Sequence, residues 1–235
     1  MSESRRSVLV AGAQGVTGRA AAEHFSSLPA TKVYGLSRRM LEEIPNVVAI
    51  NVDLLWPEDV ERAIAPLKDI THIVFAAFVE KETPGERSAV NVSLLRNLLD
   101  VADKNASGLR HVTLYQGGKA YGADLGPFKT PAREDDPRLM GPNFYYDQED
   151  FLKDRQSGRP WHYTILRREA VSGFAVGKTP LSFPASDQGI CRCLRHVCAA
   201  VTDLGSFGNL LCRPFPTTCG NIHSSKELCS LSKPP

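Results

Sequence analysis

The chain has 235 residues, 42% of them apolar and 23% charged, and a formal net charge of +2. That length suits one α/β domain with a sizeable core and at most a small appendage, and the near-neutral charge gives no reason to expect nucleic acid or a membrane as partner. No apolar run approaches the roughly 18 residues of a membrane span, and the short run Val8 to Ala11 stops at a glycine motif, so the cytoplasm is the expected location.

Strand-like and helix-like segments alternate over the first 170 residues, the rhythm of a parallel sheet covered on both faces. Ser7 to Ala11 is predicted as the first strand and Gly15 to Ser27 as a helix with small residues toward the sheet. Lys32 to Leu36 and Val47 to Val52 are the next two strands. Pro57-Glu58-Asp59 opens a helix, with proline where a missing N–H costs little and acids at the positive helix end. Thr71 to Phe78 is a nearly continuous apolar strand, as burial on both faces requires. An amphipathic helix over Arg87 to Asp103, a strand over Arg110 to Tyr115, a helix over Phe144 to Asp154 and a strand over His162 to Leu166 complete the series. The expected fold is a Rossmann-like, doubly wound α/β sheet over residues 1–177.

Beyond Gly177 the alternation fails. Residues 178–235 are expected to form a divergent or truncated tail with a single helix near Ile190 to Val201. All six cysteines fall there: Cys191, Cys193, Cys198, Cys212, Cys219 and Cys229. Without a secretory signal a disulfide framework is disfavoured. A zinc set of Cys212, Cys219, His223 and Cys229 lacks the short-spaced ligand pairs such sites use, so no metal is expected.

Gly12-Ala13-Gln14-Gly15-Val16-Thr17-Gly18 sits between the first strand and the first helix. Glycines there allow a tight turn and let a pyrophosphate approach the backbone N–H groups at the positive helix end. The strand before, the helix after and the βαβ rhythm are the contexts that give the pattern meaning. The GxxGxxG spacing is the short-chain dehydrogenase variant. At the end of the second strand, where NAD sites carry an acid for the ribose 2′-hydroxyl, this chain has Ser37-Arg38-Arg39. Two guanidinium groups suit a 2′-phosphate, so the expected cofactor is NADPH/NADP. Asp53 and Leu54, after the third strand, are the expected adenine contacts.

The usual Tyr-x-x-x-Lys pair of that superfamily, in which one helical turn sets an ammonium beside a phenol, is missing. Tyr145 has Glu149 four residues on, and Tyr146 has Asp150; a carboxylate there is expected to raise a phenol's pKa. Lys119, in Gly117-Gly118-Lys119-Ala120-Tyr121 after the fifth strand, stands at the carboxyl end of the sheet that faces a cofactor crevice. Read from the residues alone, it is either that missing cation or a surface lysine in a loop.

Gly12 to Gly18, Val33 to Arg39, Gly117 to Tyr121 with Gly126-Pro127-Phe128, and Pro142-Asn143-Phe144-Tyr145-Tyr146-x-x-Glu149-Asp150 together resemble the progesterone 5β-reductase/iridoid synthase family. These are atypical short-chain dehydrogenases that reduce the C=C bond of enones, and the resemblance spans residues 7–177. It implies that Tyr145 and Lys119 are catalytic. It also implies 1,4-reduction by NADPH of a small, terpenoid- or polyketide-like enone in specialised metabolism. Non-catalytic NADP binding and carbonyl reduction or epimerase-type chemistry stand as alternatives.

The chain departs from the family pattern in three places. The lysine motif lacks the family's usual Arg and His, and Arg167-Arg168-Glu169 stands where the family has Arg-Pro. After Gly173 to Gly177 the long helix of the family is missing, so the chain is expected to be truncated, with apolar surface left uncovered. These departures bear on activity more than on fold or cofactor site.

Overall fold

A strand flanked by helices on both faces must be apolar nearly throughout. Val8, Leu9, Val10 and Ala11 of β1 (Arg6–Ala11) meet that demand and are almost fully buried. The computed structural model describes residues 6–39, 43–168 and 175. After β1 come α1 (Val16–Ser26), β2 (Thr31–Ser37), β3 (Val47–Asn51), α2 (Pro57–Ile64) and β4 (His72–Phe75). Then follow α3 (Pro84–Asn105), β5 (His111–Gly117), a 3₁₀ turn at Gly118–Tyr121, α4 (Phe144–Gln156) and β6 (His162–Arg168).

The strands pair in parallel in the order β3-β2-β1-β4-β5-β6. With β2 on one side of β1 and β4 on the other, the winding reverses at β1. The crevice outside the carboxyl ends of β1 and β4 is where such sheets take ligands. The expected Rossmann-like sheet is therefore present.

Helix α3 supplies the largest share of the core on one face. Leu94, Leu95, Leu98 and Leu99 pack with Ile73, Phe75, Val112 and Leu114 of β4 and β5, and truncating one such leucine to alanine costs about 2–5 kcal/mol. Its start lies three residues before the predicted one. Thr83 caps it by accepting from the Glu86 N–H at 3.2 Å while its hydroxyl donates to the Glu86 carboxylate at 2.9 Å, and Pro84 opens the first turn. That is the Ser/Thr-x-x-Glu start signal. Strand β4 ends earlier than its apolar run, at Phe75, because Ala76 to Val79 leave the sheet to wall a cavity.

The predicted tail over residues 178–235, its helix and its cysteines lie outside the described residues. Among the described residues, no helix is long and apolar enough to cross a membrane, and no group of three or more His, Cys, Asp or Glu is placed to hold a metal.

Candidate functional site

Gly12 leaves β1 with φ +81°, and a Cβ there would stand 2.8 Å from the Ala76 oxygen and the Ala77 nitrogen. The turn closes through the Gly15 N–H, which donates to the Gly12 carbonyl at 2.9 Å. Helix α1 then passes so near the turn that a Cβ on Gly18 would lie 2.1 Å from the Gly12 oxygen. The first N–H groups of a helix have no partner within it and carry the positive end of its dipole. No acidic residue occupies the first turn of α1, so the protein sets no anion of its own in that turn.

A cavity of about 950 Å³ opens beside this turn, at the upper end of the roughly 300–1,000 Å³ usual for small-ligand sites. Gly12, Gln14, Gly15 and Val16 line it from the turn, Ser37, Arg38 and Arg39 from the end of β2, Leu54 from beyond β3, and Lys119 and Tyr145 from the opposite end of the sheet. Ten of the sequence-predicted site residues thus surround one space. Two do not line it. Gly18 supports the turn from behind, and the Asp53 carboxylate instead accepts from the Leu55 N–H at 3.0 Å. At the β2 end the Ser37 hydroxyl donates to Gln14 Oε1 at 2.9 Å, joining turn and strand, while Arg38 and Arg39 are exposed. These residues fit a dinucleotide: backbone donors at a helix start, an approach that side chains on Gly12 and Gly18 would block, and two guanidinium groups past β2.

At the other end, Asn143 organises the two candidate catalytic residues. Its Oδ1 accepts from the Tyr145 N–H at 3.1 Å, capping α4, and its Nδ2 donates to the Lys119 carbonyl at 2.8 Å. Gln116 Nε2 in β5 donates to the Tyr145 carbonyl at 2.8 Å. The Tyr145 hydroxyl lies against Gly117, where a Cβ would stand 3.3 Å from it. The neighbouring tyrosine is committed elsewhere: the Tyr146 hydroxyl donates to the Ala120 carbonyl at 2.6 Å and accepts from the Leu139 N–H at 3.1 Å. Only Tyr145 of the two lines the cavity.

Burial pushes the Tyr145 phenol up to about 12, with Asp124 and Glu80 adding to the rise and Arg168 opposing it. The expected rise is present, but Glu149 is not its main source. The Glu149 carboxylate is held by Arg167 Nη2 at 2.6 Å, and Arg167 Nε donates to Gln116 Oε1 at 3.0 Å. Lys119 acts instead on Glu80: the Arg87 hydrogen bond first, then the charges of Arg87 and Lys119, hold that carboxyl below its usual range.

Asn91 was not singled out by the sequence. Fully buried on α3, it accepts from the Val79 N–H at 2.9 Å and donates to the Val79 carbonyl at 2.7 Å, fixing the cavity wall after β4. Gln148 of α4, another cavity-lining side chain, donates to the Asn91 carbonyl at 2.9 Å. A polar residue on the leucine-rich face of α3 was the available signal.

A family model described as a PRISE-like Rossmann-fold domain matches residues 48–196. A short chain dehydrogenase, gsfE, of Penicillium aethiopicum is 33% identical over 72% of this chain and 48% of its own length. A 3-oxo-Delta(4,5)-steroid 5-beta-reductase of Arabidopsis thaliana is 37% identical over 74% of this chain and 48% of its own. An (S)-8-oxocitronellyl enol synthase of Catharanthus roseus is 35% identical over 71% and 45%. The chain thus spans about half the length of the curated relatives it matches. Among solved structures, the Bordetella bronchiseptica enzyme WbmH in complex with NAD+ superposes with a TM-score of 0.62 at 20% identity, covering 84% of this chain and 71% of that one, a likeness of fold. By its sequence match and its parallel sheet, the chain belongs to the PRISE-like Rossmann-fold family of short-chain dehydrogenases.

Proposed function

We propose that this protein is an NADPH-dependent reductase that saturates the C=C bond of a small enone. The observation that carries this reading is the Tyr145 hydroxyl, set against Gly117 in the same cavity that the Gly12–Gly18 turn and the Arg38–Arg39 pair line. The similarity to a steroid 5-beta-reductase and to enol synthases supports it, as does the match to a short chain dehydrogenase.

Arg38 and Arg39 would hold the 2′-phosphate, and the first N–H groups of α1 the diphosphate. Val52 and Leu54 offer an apolar wall for the adenine. When bound, a reduced nicotinamide supplies a hydride to the electron-poor β-carbon of the enone. The protein's part is to bind the carbonyl oxygen as negative charge collects there. With its pKa pushed to about 12, Tyr145 keeps its proton at neutral pH and serves as a hydrogen-bond donor to that oxygen. Lys119 adds positive potential from the same cavity, its backbone tied to Tyr145 through Asn143. The α-carbon would take its proton from water.

The test is product analysis with the full chain, NADPH and a cyclic enone. A saturated ketone is expected, with Tyr145→Phe slowing its formation about 100-fold or more. An unchanged Tyr145→Phe rate removes Tyr145 from the mechanism, and an allylic alcohol assigns carbonyl reduction instead. A second reading is dinucleotide binding without turnover, for which the glycine turn and the Arg38–Arg39 pair lining the cavity suffice. Tight NADPH binding with no consumption across enones and carbonyls would establish it.

A further inference from the structure

Arg168, the last residue of β6, breaks the Arg-Pro pattern and lines the cavity. Its Nη2 donates to the hydroxyl of Thr17, in the first turn of α1, at 3.0 Å. Its guanidinium lies 4.8 Å from the centroid of the Tyr115 ring, within cation–π range. In register it stands opposite Gly117, where a Cβ would come within 3.3 Å of both the Arg168 carbonyl and the Tyr145 hydroxyl. Contacts with Thr17 and with the Tyr115 ring, on different elements, therefore hold this cation between the start of α1 and the candidate catalytic tyrosine.

We propose that Arg168 is a further cofactor-binding residue, whose guanidinium grips the diphosphate bridge of the dinucleotide together with the N-terminus of α1. The inference rests on the cavity's being the dinucleotide site and adds a residue to it. A diphosphate carries more negative charge than a helix end, equivalent to about half a unit charge, can balance. A planar guanidinium presents paired donors that match phosphate oxygens. Arg38 and Arg39 follow β2, whereas Thr17 and Arg168 converge on the first turn of α1. The two sets divide the work: one reads the 2′-phosphate, the other the bridge that NADPH and NADH share.

The experiment measures the affinity of full-length wild-type chain, Arg168→Met and Arg168→Lys for NADPH, NADH and 2′-AMP, which lacks the bridge. Arg168→Met is expected to weaken NADPH and NADH by the same factor, about 10- to 100-fold, and to leave 2′-AMP unchanged. Arg168→Lys, which keeps the charge but not the fork, falls between. The ligand-free melting temperature should fall by no more than a few degrees, the scale of one lost hydrogen bond. Equal dinucleotide affinity in wild type and Arg168→Met overturns the proposal, and so does an equal loss for 2′-AMP. Should Arg168→Met fail to fold, Arg168→Gln takes its place under the same criteria. Failure of the wild type to bind either dinucleotide would instead overturn the reading of the cavity.

Discussion

Arg167 and Glu149 meet at 2.6 Å, joining β6 to the middle of α4 beside the candidate active site. The contact resolves a conflict in the sequence. Glu149 follows Tyr145 by one helical turn, where a carboxylate would push the phenol upward. With Arg167 on one oxygen and Arg138 3.6 Å from the other, that charge is already balanced. The phenol responds first to burial and next to Asp124.

Removing the carboxylate should therefore cost stability. In Glu149→Ala, Arg167 keeps, among the described residues, only its Gln116 and Tyr121 contacts while remaining mostly buried. A loss of about 1–3 kcal/mol is expected in urea unfolding. A change under about 0.5 kcal/mol, the scale of an ordinary surface substitution, would show that the pair does not hold β6 to α4.

The two adjacent tyrosines should separate cleanly. Tyr146→Phe strands the Ala120 carbonyl and the Leu139 N–H, so it should lose about 1 kcal/mol and lower the melting temperature by a few degrees. Its chemistry should be nearly intact. If Tyr146→Phe stopped turnover while Tyr145→Phe did not, the assignment of the donor would be reversed.

Gly117 sets the position of the Tyr145 hydroxyl, the proposed donor. A methyl group there would press on Tyr145 Oη and the Arg168 carbonyl, both 3.3 Å away. Displacement by a few tenths of an ångström should lower kcat about tenfold or more, with dinucleotide affinity little changed. An unaffected kcat would mean that the hydroxyl does not need this seat.

A pH effect is expected far from the crevice. His72 and His111 are paired in register at the start of β4 and β5. Burial pushes each down to about 4, helped by Arg6 and Arg110 at His72 and by His72 and His162 at His111. The folded form therefore holds fewer protons than the unfolded chain between pH 6.5 and about 4. Their contribution is fully present above pH 6.5 and is lost as pH falls toward 4. Urea titrations should show unfolding taking up as many as about two protons from this pair. A His72→Asn, His111→Gln variant should flatten the slope, and an unchanged slope would contradict the assignment.

Much of this arrangement was legible because local rules settle it. The unbroken apolar runs of β1 and β4, the glycine spacing and the Arg38–Arg39 pair each announce their place by short-range pattern. The apolar run after Ile70 overshot its strand, since a cavity wall and a buried strand demand the same residues. The Thr83 cap was visible and unread. Non-local facts were not legible: that Arg167 neutralises Glu149 or that Asn91 pins Val79; nor was it legible that the Asp53 carboxylate accepts from the Leu55 N–H. The choice of Tyr145 over Tyr146 came from resemblance, and the structure supplies a physical reason, since adjacent helical residues point about 100° apart and only one of them lines the cavity.

The Arg38–Arg39 end of the cavity is proposed to select the phosphorylated dinucleotide. Calorimetric titration of the full chain with NADPH and with NADH tests it most directly. NADPH is expected to bind at least about tenfold more tightly, as two charge-assisted contacts to one phosphate imply, with the preference lost in an Arg38→Ala, Arg39→Ala variant. Equal affinities in the wild-type chain would contradict the account.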